Sequence, residues 1–262
     1  MPLHWKKLID SFDDRRDIVI PGNNQETLVY CVEHFISLAQ AAIKDHGFFA
    51  VALSGGNTPN AIYQSLANPF NRERINWKNV LLFWGDERNI SPDSPESNYH
   101  MAMEAGLGSL PIDPKHIFRM PAEKKDIEAA ALEYEQTIRQ NIPLASFDLV
   151  MLGMGEDGHT ASLFPKTHGL HVDDDRIVIA NFIPQKNVWR MTLTYECINV
   201  AQHIAIYILG ANKAGMLKHV LTSPYDPDTL PVQRVGTRMH KALWIVDNDA
   251  AAELRQSLSK AP

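Results

Sequence analysis

Cysteine is scarce in this sequence, with two residues among 262. Cys31 and Cys197 lie far apart, in apolar segments of helical or strand-like pattern, and neither has the Cys-x-x-Cys spacing of a metal or redox site. A disulfide framework or a cysteine metal site is therefore not indicated. We expect two free, buried thiols.

Long runs of positive charge are also missing. The formal net charge is −6, and the basic residues form nothing longer than the pairs Lys6-Lys7, Arg15-Arg16 and Lys124-Lys125. Proteins that bind nucleic acids need a concentrated basic surface to neutralise phosphates, so we expect no nucleic-acid partner. An anionic ligand has to be met by donors that the fold gathers locally.

Extended apolar runs are absent as well. No segment reaches the roughly 18 apolar residues that a membrane span requires. Residues 1–17 carry charges throughout and lack the apolar run of a secretory signal. The sequence therefore predicts a cytoplasmic protein without a membrane partner.

Several catalytic signatures do not occur. The sequence has no His-Glu-x-x-His segment and no paired cysteines, and His168 with His171 lacks an obvious third ligand. The Gly-x-Ser-x-Gly elbow of serine hydrolases is missing too. We expect chemistry that needs no metal ion and no serine nucleophile.

The sequence does contain a regular alternation of helix-like and strand-like segments. Apolar residues recur at helical spacing over residues 26–43, and a continuous apolar run follows at residues 48–53. The run predicts a strand covered on both faces. Further strands are predicted at residues 80–84, 147–152, 177–180, 190–194, 203–209 and 242–247, and further helices at residues 126–140, 213–221 and 250–258.

This alternation predicts an α/β fold with a mostly parallel sheet and helices on both faces. At 262 residues, one domain over residues 1–262 competes with two smaller ones. We favour one domain because no linker-like stretch interrupts the pattern. Surface loops are predicted where Pro, Gly, Asn and Asp gather, at residues 91–98, 111–121, 168–175 and 223–231.

Ligands of parallel sheets bind beyond the carboxyl ends of the strands, and four segments at such ends carry unusual residues. The first is Ser54-Gly55-Gly56-Asn57-Thr58-Pro59. Two glycines and a proline in the first helical turn leave backbone N–H groups free beside the helix dipole, and Ser54 and Thr58 add hydroxyls. The segment indicates a phosphate site; a tight turn without a ligand is the alternative.

The second segment is Gly85-Asp86-Glu87-Arg88. Three charges at a strand end are costly to bury unless they pair or meet a ligand. Arg88 is suited to a phosphate or carboxylate, while Asp86 or Glu87 would orient it or hold a sugar hydroxyl. A structural surface ion pair is the alternative.

The third segment, Gly153 to Pro165, is the most specific. Its three glycines at 153, 155 and 158 give a backbone path that projects Asp157 and His159 from a turn that we expect to be mobile. An acid two residues from a histidine can fix the tautomer of the ring for proton transfer. His159 is the only one of eleven histidines in such a setting, so we predict that it is the catalytic base.

The fourth segment is Gly210-Ala211-Asn212-Lys213-Ala214. Lys213 is predicted in the first turn of a helix, where the dipole disfavours a cation, so an anionic partner is indicated. A solvated lysine is the alternative. Arg190, with Lys186 nearby, would also face the site.

These four segments, with Ser97-Asn98-Tyr99 and Arg190-Met191-Thr192-Leu193-Thr194, resemble the 6-phosphogluconolactonase family. The resemblance runs through most of the chain. It implies a Rossmann-like three-layer α/β/α fold, no cofactor, and hydrolysis of 6-phospho-D-glucono-1,5-lactone to 6-phosphogluconate. The chain departs from the family at Asn57, where the family often has Ser.

The resemblance also implies roles for individual residues. It makes His159 the base and assigns Arg88 and Lys213 to the phosphate and polar groups of the substrate. We cast Asp157 as the residue that orients His159, and expect phosphate contacts from the turn that begins at Ser54. The expected partner is a sugar phosphate, bound by a monomer or a homodimer.

Two other functions compete with this prediction. The related glucosamine-6-phosphate deaminases follow Asp-Gly-His with an Asn-Glu pair whose glutamate serves ring opening, and this chain has Ser162-Leu163-Phe164-Pro165 instead. A non-catalytic sugar-phosphate sensor is the second competitor. Such sensors usually carry a DNA-binding module, for which we see no room.

Overall fold

The computed structural model describes residues 8–172 and 175–258. The strands are β1 Asp10–Ser11, β2 Arg16–Val19, β3 Phe49–Leu53, β4 Val80–Trp84, β5 Asp86–Arg88, β6 Ile117–Phe118, β7 Leu149–Gly153, β8 Val178–Ile183, β9 Val188–Leu193, β10 Ile204–Ile208 and β11 Ala242–Val246. The α-helices are α1 Asn24–His46, α2 Asn57–Ala67, α3 Pro69–Arg72, α4 Asn98–Glu104, α5 Ile127–Asn141, α6 Tyr195–Ile198, α7 Ala214–Thr222 and α8 Ala252–Leu258.

Helix α1 shows how local sequence sets an element's ends. Asn23 and Glu26 form a reciprocal capping box: the Glu26 amide donates to Asn23 Oδ1 at 3.0 Å, and the Asn23 amide donates to Glu26 Oε2 at 2.8 Å. At the other end Gly47 takes φ 94°, and its N–H bonds to the Ile43 carbonyl. The predicted helix is confirmed, with two more residues at its amino end and three more at its carboxyl end.

The main sheet has eight strands in the order β1-β2-β11-β10-β7-β3-β4-β6. All its neighbours are parallel except β1 and β2. Strands β3, β4 and β10 are buried along their full length, which is why each appears in the sequence as an uninterrupted apolar run. The predicted α/β fold with a mostly parallel sheet is confirmed.

A second sheet was not predicted. It has three antiparallel strands in the order β5-β9-β8. Gly85 lies between the sheets: its amide donates to the Leu53 carbonyl at 2.8 Å, and its carbonyl accepts from the Leu193 amide at 2.9 Å. The chain thus turns from β4 directly into β5, which places Asp86 and Arg88 beside the carboxyl ends of β3 and β7. One continuous cluster of buried apolar residues includes members of both sheets.

The elements that sequence reasoning missed are short. The two-residue strand β6 lies inside the predicted loop 111–121 and pairs with the edge of β4, and the loop 91–98 ends where α4 begins. Such lengths carry no readable period. In the predicted loop 168–175, a single 3-10 turn covers residues 168–170, and residues 173–174 lie outside the described residues.

Two predictions drawn from absences can be compared with the structure. Cys31 and Cys197 are free and buried, as expected, and burial raises the pKa of both thiols. Within residues 8–172 and 175–258, no helix has the length and apolar character needed to cross a bilayer.

Glu135 joins α5 to the second sheet. Its carboxylate is buried and accepts hydrogen bonds from the amide of Ile177 and the guanidinium of Arg176, both at 3.0 Å, and from Arg139 on its own helix. Burial acts to raise the pKa of Glu135, but these donors outweigh it and lower the pKa below 4.5.

Replacing Glu135 should therefore cost stability in a pH-dependent way. Glu135→Gln is expected to lower the free energy of unfolding by about 1.5–3 kcal/mol at neutral pH, because hydrogen bonds to a charged acceptor are lost. A carboxylate whose pKa is lowered on folding contributes fully above its unfolded pKa, and that contribution is lost as the pH falls through the native pKa. Urea denaturation should show the deficit narrowing below pH 4.5.

The control for this comparison is Glu133→Gln on the same helix. Glu133 is an exposed residue that pairs with exposed Lys124, so the change should stay within about 0.5 kcal/mol. If the loss of unfolding free energy in Glu135→Gln stays constant down to pH 3.5, about one unit below the ordinary pKa of glutamate, the lowered pKa of Glu135 does not contribute to stability.

Candidate active site

A cleft of about 280 Å³ lies where β3, β4 and β7 end. It brings together three of the four segments singled out in the sequence. Its lining residues are Ser54, Gly55, Gly56, Asp86, Arg88, Asn98, Gly153, Met154, Gly155, His159, Ala161, Phe164, Lys186 and Arg190.

The turn that carries His159 is held by its own backbone. The Gly155 amide donates to the His159 carbonyl at 2.9 Å, and the Gly158 amide donates to the Gly155 carbonyl at 3.2 Å. The Thr160 hydroxyl donates to the Gly153 carbonyl at 2.9 Å. These hydrogen bonds define the backbone position from which the imidazole projects, and the expected mobility of the turn stays a prediction.

Asp157 contacts the imidazole in the plane of the ring. Its Oδ1 contacts His159 Nδ1 and also accepts from the His159 amide at 3.1 Å. Partial burial acts to raise the pKa of Asp157, but the hydrogen bond and charge of His159 outweigh it and lower this pKa to about 2. A permanent carboxylate at Nδ1 assigns the proton of a neutral ring to that atom and leaves a lone pair on Nε2.

Asp86 is fixed on both oxygens by buried partners. Asn98 Nδ2 donates to Oδ1 at 3.0 Å, and Ser162 Oγ donates to Oδ2 at 2.6 Å. Ser162 lies three residues after His159, so this bond ties the turn that carries His159 to β5. Among the described residues Asp86 forms no ion pair with Arg88, so no direct contact supports the expectation that it orients that guanidinium.

Glu87 faces away from the cleft. Its carboxylate accepts the amides of Asn98 and Tyr99 at 2.9 Å each and the Ser97 hydroxyl at 2.9 Å. These donors lie at the start of α4, so Glu87 caps that helix. The alternative that Glu87 holds a sugar hydroxyl is wrong, because both its oxygens are already bound.

Two guanidinium groups face the cleft from paired strands. Arg88 on β5 and Arg190 on β9 are cross-strand partners, and neither forms an ion pair with a carboxylate of the described residues. Burial and the charge of Arg88 lower the pKa of Arg190, whereas Asp86 and Glu87 oppose that shift. The cleft thus holds positive charge that the described chain leaves only partly balanced, as an anion site requires.

Gly56 shapes the turn between β3 and α2. Its φ of 100° is open to glycine and disfavoured for other residues, and as the N-cap of α2 it offers no side-chain cap. The first N–H groups of α2 therefore lack a side-chain acceptor at the rim of the cleft. Asn57 and Thr58 begin the helix, but their side chains do not line the cleft.

The fourth segment contacts the backbone next to the cleft rather than lining the cleft. Lys213 lies in a 3-10 turn just before α7, and its Nζ donates to the Met154 carbonyl at 3.0 Å. It holds the segment that carries Gly153 and Gly155, and it is not among the lining residues. Lys186, on the β8–β9 hairpin, does line the cleft, with its Nζ 4.9 Å from the centre of the Phe164 ring.

A larger cleft of about 930 Å³ lies at the amino ends of β3, β7 and β10. Its one ion pair joins His46 Nε2 to Asp148 Oδ1 at 2.9 Å, and Asp148 also accepts the Ala50 amide. This pair ties the end of α1 to the sheet. The smaller cleft is the candidate site, because its lining residues come from the strand-end segments that the sequence analysis singled out.

Comparisons with known proteins give the family of this chain. A family model described as glucosamine-6-phosphate isomerases/6-phosphogluconolactonase matches residues 22–244. The chain belongs to this family. It is 40% identical over 242 residues to a 6-phosphogluconolactonase of Chlamydia trachomatis, which covers 92% of this chain and 91% of that protein.

Solved structures of the family share the fold. A 6-phosphogluconolactonase from Thermotoga maritima has a TM-score of 0.75 at 27% identity, covering 88% of this chain and 99% of that one. A monomeric glucosamine-6-phosphate deaminase has a TM-score of 0.74 at 20% identity, covering 90% and 99%. The second likeness shows the fold alone, so function has to be argued from the site. The predicted family resemblance is confirmed.

Sequence reasoning missed the contacts of two residues that line the cleft, Asn98 and Phe164, and of the buried Ser162. Each stood in a segment that we singled out, but nothing in the sequence showed which partner it meets. Ser162 contacts a residue 76 positions away, and such pairings depend on the order of the strands.

Gly155 offers a direct test of the His159 geometry. A Cβ at this position would lie 2.0 Å from His159 Nδ1 and 2.8 Å from Asp157 Oδ1. Gly155→Ala should therefore displace the imidazole by about 1 Å or more, a shift that lowers rates about 10²-fold when it affects a catalytic group. A crystal structure of the variant measures the displacement directly.

The matched control is Gly215→Ala in α7. A Cβ there meets only Glu253 at an ordinary 3.7 Å, so the ring of His159 should stay in place. An unmoved imidazole in Gly155→Ala would show that the turn tolerates a side chain at 155.

Proposed function

We propose that this chain is a 6-phosphogluconolactonase, which hydrolyses 6-phospho-D-glucono-1,5-lactone without a metal ion or an organic cofactor. The observation that carries the proposal is one cleft lined both by a carboxylate-oriented imidazole and by two guanidinium groups. The imidazole supplies a base for water, and the guanidinium groups supply charge for a phosphate. The named relatives at 40% identity support the same substrate.

The phosphate is bound at the side of the cleft away from His159. The amides of Gly55 and Gly56 and the guanidinium of Arg190 are its proposed donors. The guanidinium of Arg190 makes no hydrogen bond to the described residues, whereas Arg88 Nη1 already donates to the Glu96 carbonyl. Binding the phosphate places the lactone carbonyl beside His159 and spends remote binding energy on orientation.

Chemistry begins at the Nε2 atom of His159. Neutral His159 takes a proton from water as the water oxygen bonds to C1 of the lactone. Arg88 stabilises the charge that develops on the carbonyl oxygen. When the tetrahedral intermediate collapses, the bond from C1 to the ring oxygen breaks, and Nε2 returns its proton to that oxygen. Asp157 stays ionised throughout and stabilises the imidazolium.

Deaminase chemistry is the weaker candidate. It needs a carboxylate for ring opening, and the segment after His159 supplies none: Ser162 is bound to Asp86, Leu163 is buried in the core, and Phe164 stacks on His159. Asp86, the acid that lines the cleft, has both oxygens occupied. A non-catalytic sensor has no need of an oriented imidazole.

The deciding experiment is a pH-stat assay on fresh 6-phosphogluconolactone, corrected for spontaneous hydrolysis. Acid release far above the spontaneous rate supports the lactonase. Ammonia release from glucosamine 6-phosphate, with no acceleration of lactone hydrolysis, would assign the chain to the deaminases instead.

Removing the proposed base should affect kcat. Loss of a general base costs about 10²- to 10⁴-fold, so His159→Ala should lower kcat by that factor and leave KM nearly unchanged. His219→Ala is the matched control, because His219 lies on α7, where its ring bonds only Ser223. Activity of His159→Ala within a few-fold of the wild type would refute the role.

The proposed phosphate contact can be separated from the chemistry. Arg190→Met should lower kcat/KM for the phosphorylated lactone by about 10²-fold, the effect of one lost hydrogen bond between charged partners. For unphosphorylated glucono-1,5-lactone the change should be a few-fold at most. Equal losses on both lactones would place Arg190 at the carbonyl instead.

Arg238→Met is the control for nonspecific loss of charge. Arg238 is exposed and pairs with exposed Asp14, so both rates should be unchanged.

The proposal also includes a cytoplasmic location, a single domain and a monomeric or homodimeric state.

A further inference from the structure

The imidazole of His159 is held on its face as well as at its edge. The ring of Phe164 lies parallel to it, with centroids 3.9 Å apart and planes 15° apart. Phe164 is 2% exposed, although its ring reaches the wall of the cleft. Asp157 fixes Nδ1 in the plane, and Phe164 fixes the tilt of that plane.

Phe164 is itself clamped by a buried amide. Asn181 Nδ2 donates to the Ser162 carbonyl at 2.9 Å and to Thr167 Oγ1 at 3.0 Å. Thr167 Oγ1 in turn donates to the Phe164 carbonyl at 2.8 Å. Asn181 on β8 thus holds the backbone on both sides of Phe164, whose ring is buried.

The face of this ring attracts cations. An aromatic face carries partial negative charge, and Lys186 Nζ already lies 4.9 Å from the centre of the Phe164 ring. Proton transfer from water would convert the neutral imidazole of His159 into an imidazolium at 3.9 Å. The attraction would therefore strengthen as the proton moves, which favours the transition state over the bound substrate.

We propose that Phe164 is a positioning residue for His159: its ring sets the direction in which Nε2 points and stabilises the imidazolium formed during hydrolysis. The inference rests on the proposed lactonase function. It assigns a role in the reaction to an apolar side chain that has no polar atom to offer.

Two substitutions separate this role from packing. Phe164→Leu keeps an apolar side chain but loses the ring face, and should lower kcat by about 10- to 100-fold with KM within about twofold of the wild type. Phe164→Tyr keeps the face, and its kcat should stay within about threefold of the wild type. Phe182→Leu is the control, because Phe182 on β8 contacts Trp189 rather than a histidine.

A spectroscopic readout does not depend on activity. Stacking on a phenyl ring shifts the carbon-bound protons of an imidazole upfield in proton NMR. The His159 signals should be upfield in the wild type, Phe164→Tyr and Phe182→Leu, and should return downfield in Phe164→Leu. His159→Ala identifies these signals by their disappearance.

The outcomes distinguish this inference from the proposed function. A wild type that fails to hydrolyse the lactone overturns both. If the wild type is active and the kcat of Phe164→Leu lies within twofold of the wild-type kcat, only the role of Phe164 is overturned. The same holds if Phe164→Leu changes KM alone. If Phe164→Leu fails to fold, two other results still overturn the role of Phe164. One is the absence of an upfield shift of the His159 signals in the wild type. The other is a 10-fold loss of kcat in Phe164→Tyr.

Discussion

The bond from the Ser162 hydroxyl to Asp86 Oδ2, 2.6 Å long and fully buried, fixes the distance between the two halves of the site. One half is the glycine turn with His159, and the other is the paired strands with Arg88 and Arg190. The backbone of Ser162 joins the same two halves, since its amide donates to Thr192 Oγ1 on β9 at 3.1 Å and its carbonyl accepts from Asn181 Nδ2 on β8 at 2.9 Å. A buried carboxylate left without its donor would be costly, so the pairing is strongly enforced.

The positive charge of the cleft depends on which groups bind Asp86. Asp86 is held by Ser162 and Asn98 and forms no ion pair with either arginine. It lies close enough to oppose the lowered pKa of Arg190 and leaves the guanidinium free for a phosphate. A direct carboxylate–guanidinium pair would neutralise both groups and close the site to an anion. The proposed function therefore depends on Asp86 being satisfied by neutral donors.

Elements of the core were predictable because burial leaves a periodic signature. The strand at 80–84 was predicted to the residue, and the ends of α1 follow from Asn23, Glu26 and Gly47. The second sheet was not predictable as a sheet, because β5 has only three residues and they are charged. Its existence depends on antiparallel pairing with β9, about one hundred residues later in the chain, and local sequence carries no record of such pairing.

For the site, the sequence by itself determined which residue types stand at strand ends: a histidine two residues from an aspartate, glycines that free the backbone, and an arginine that directly follows two acids. Tertiary structure alone decided their roles. It turned Glu87 into a helix cap and Lys213 into a brace for Met154, and it placed Phe164 against His159. The physical reason is that a polar or aromatic side chain is defined by what it contacts, and these contacts are set by strand order and not by spacing along the chain.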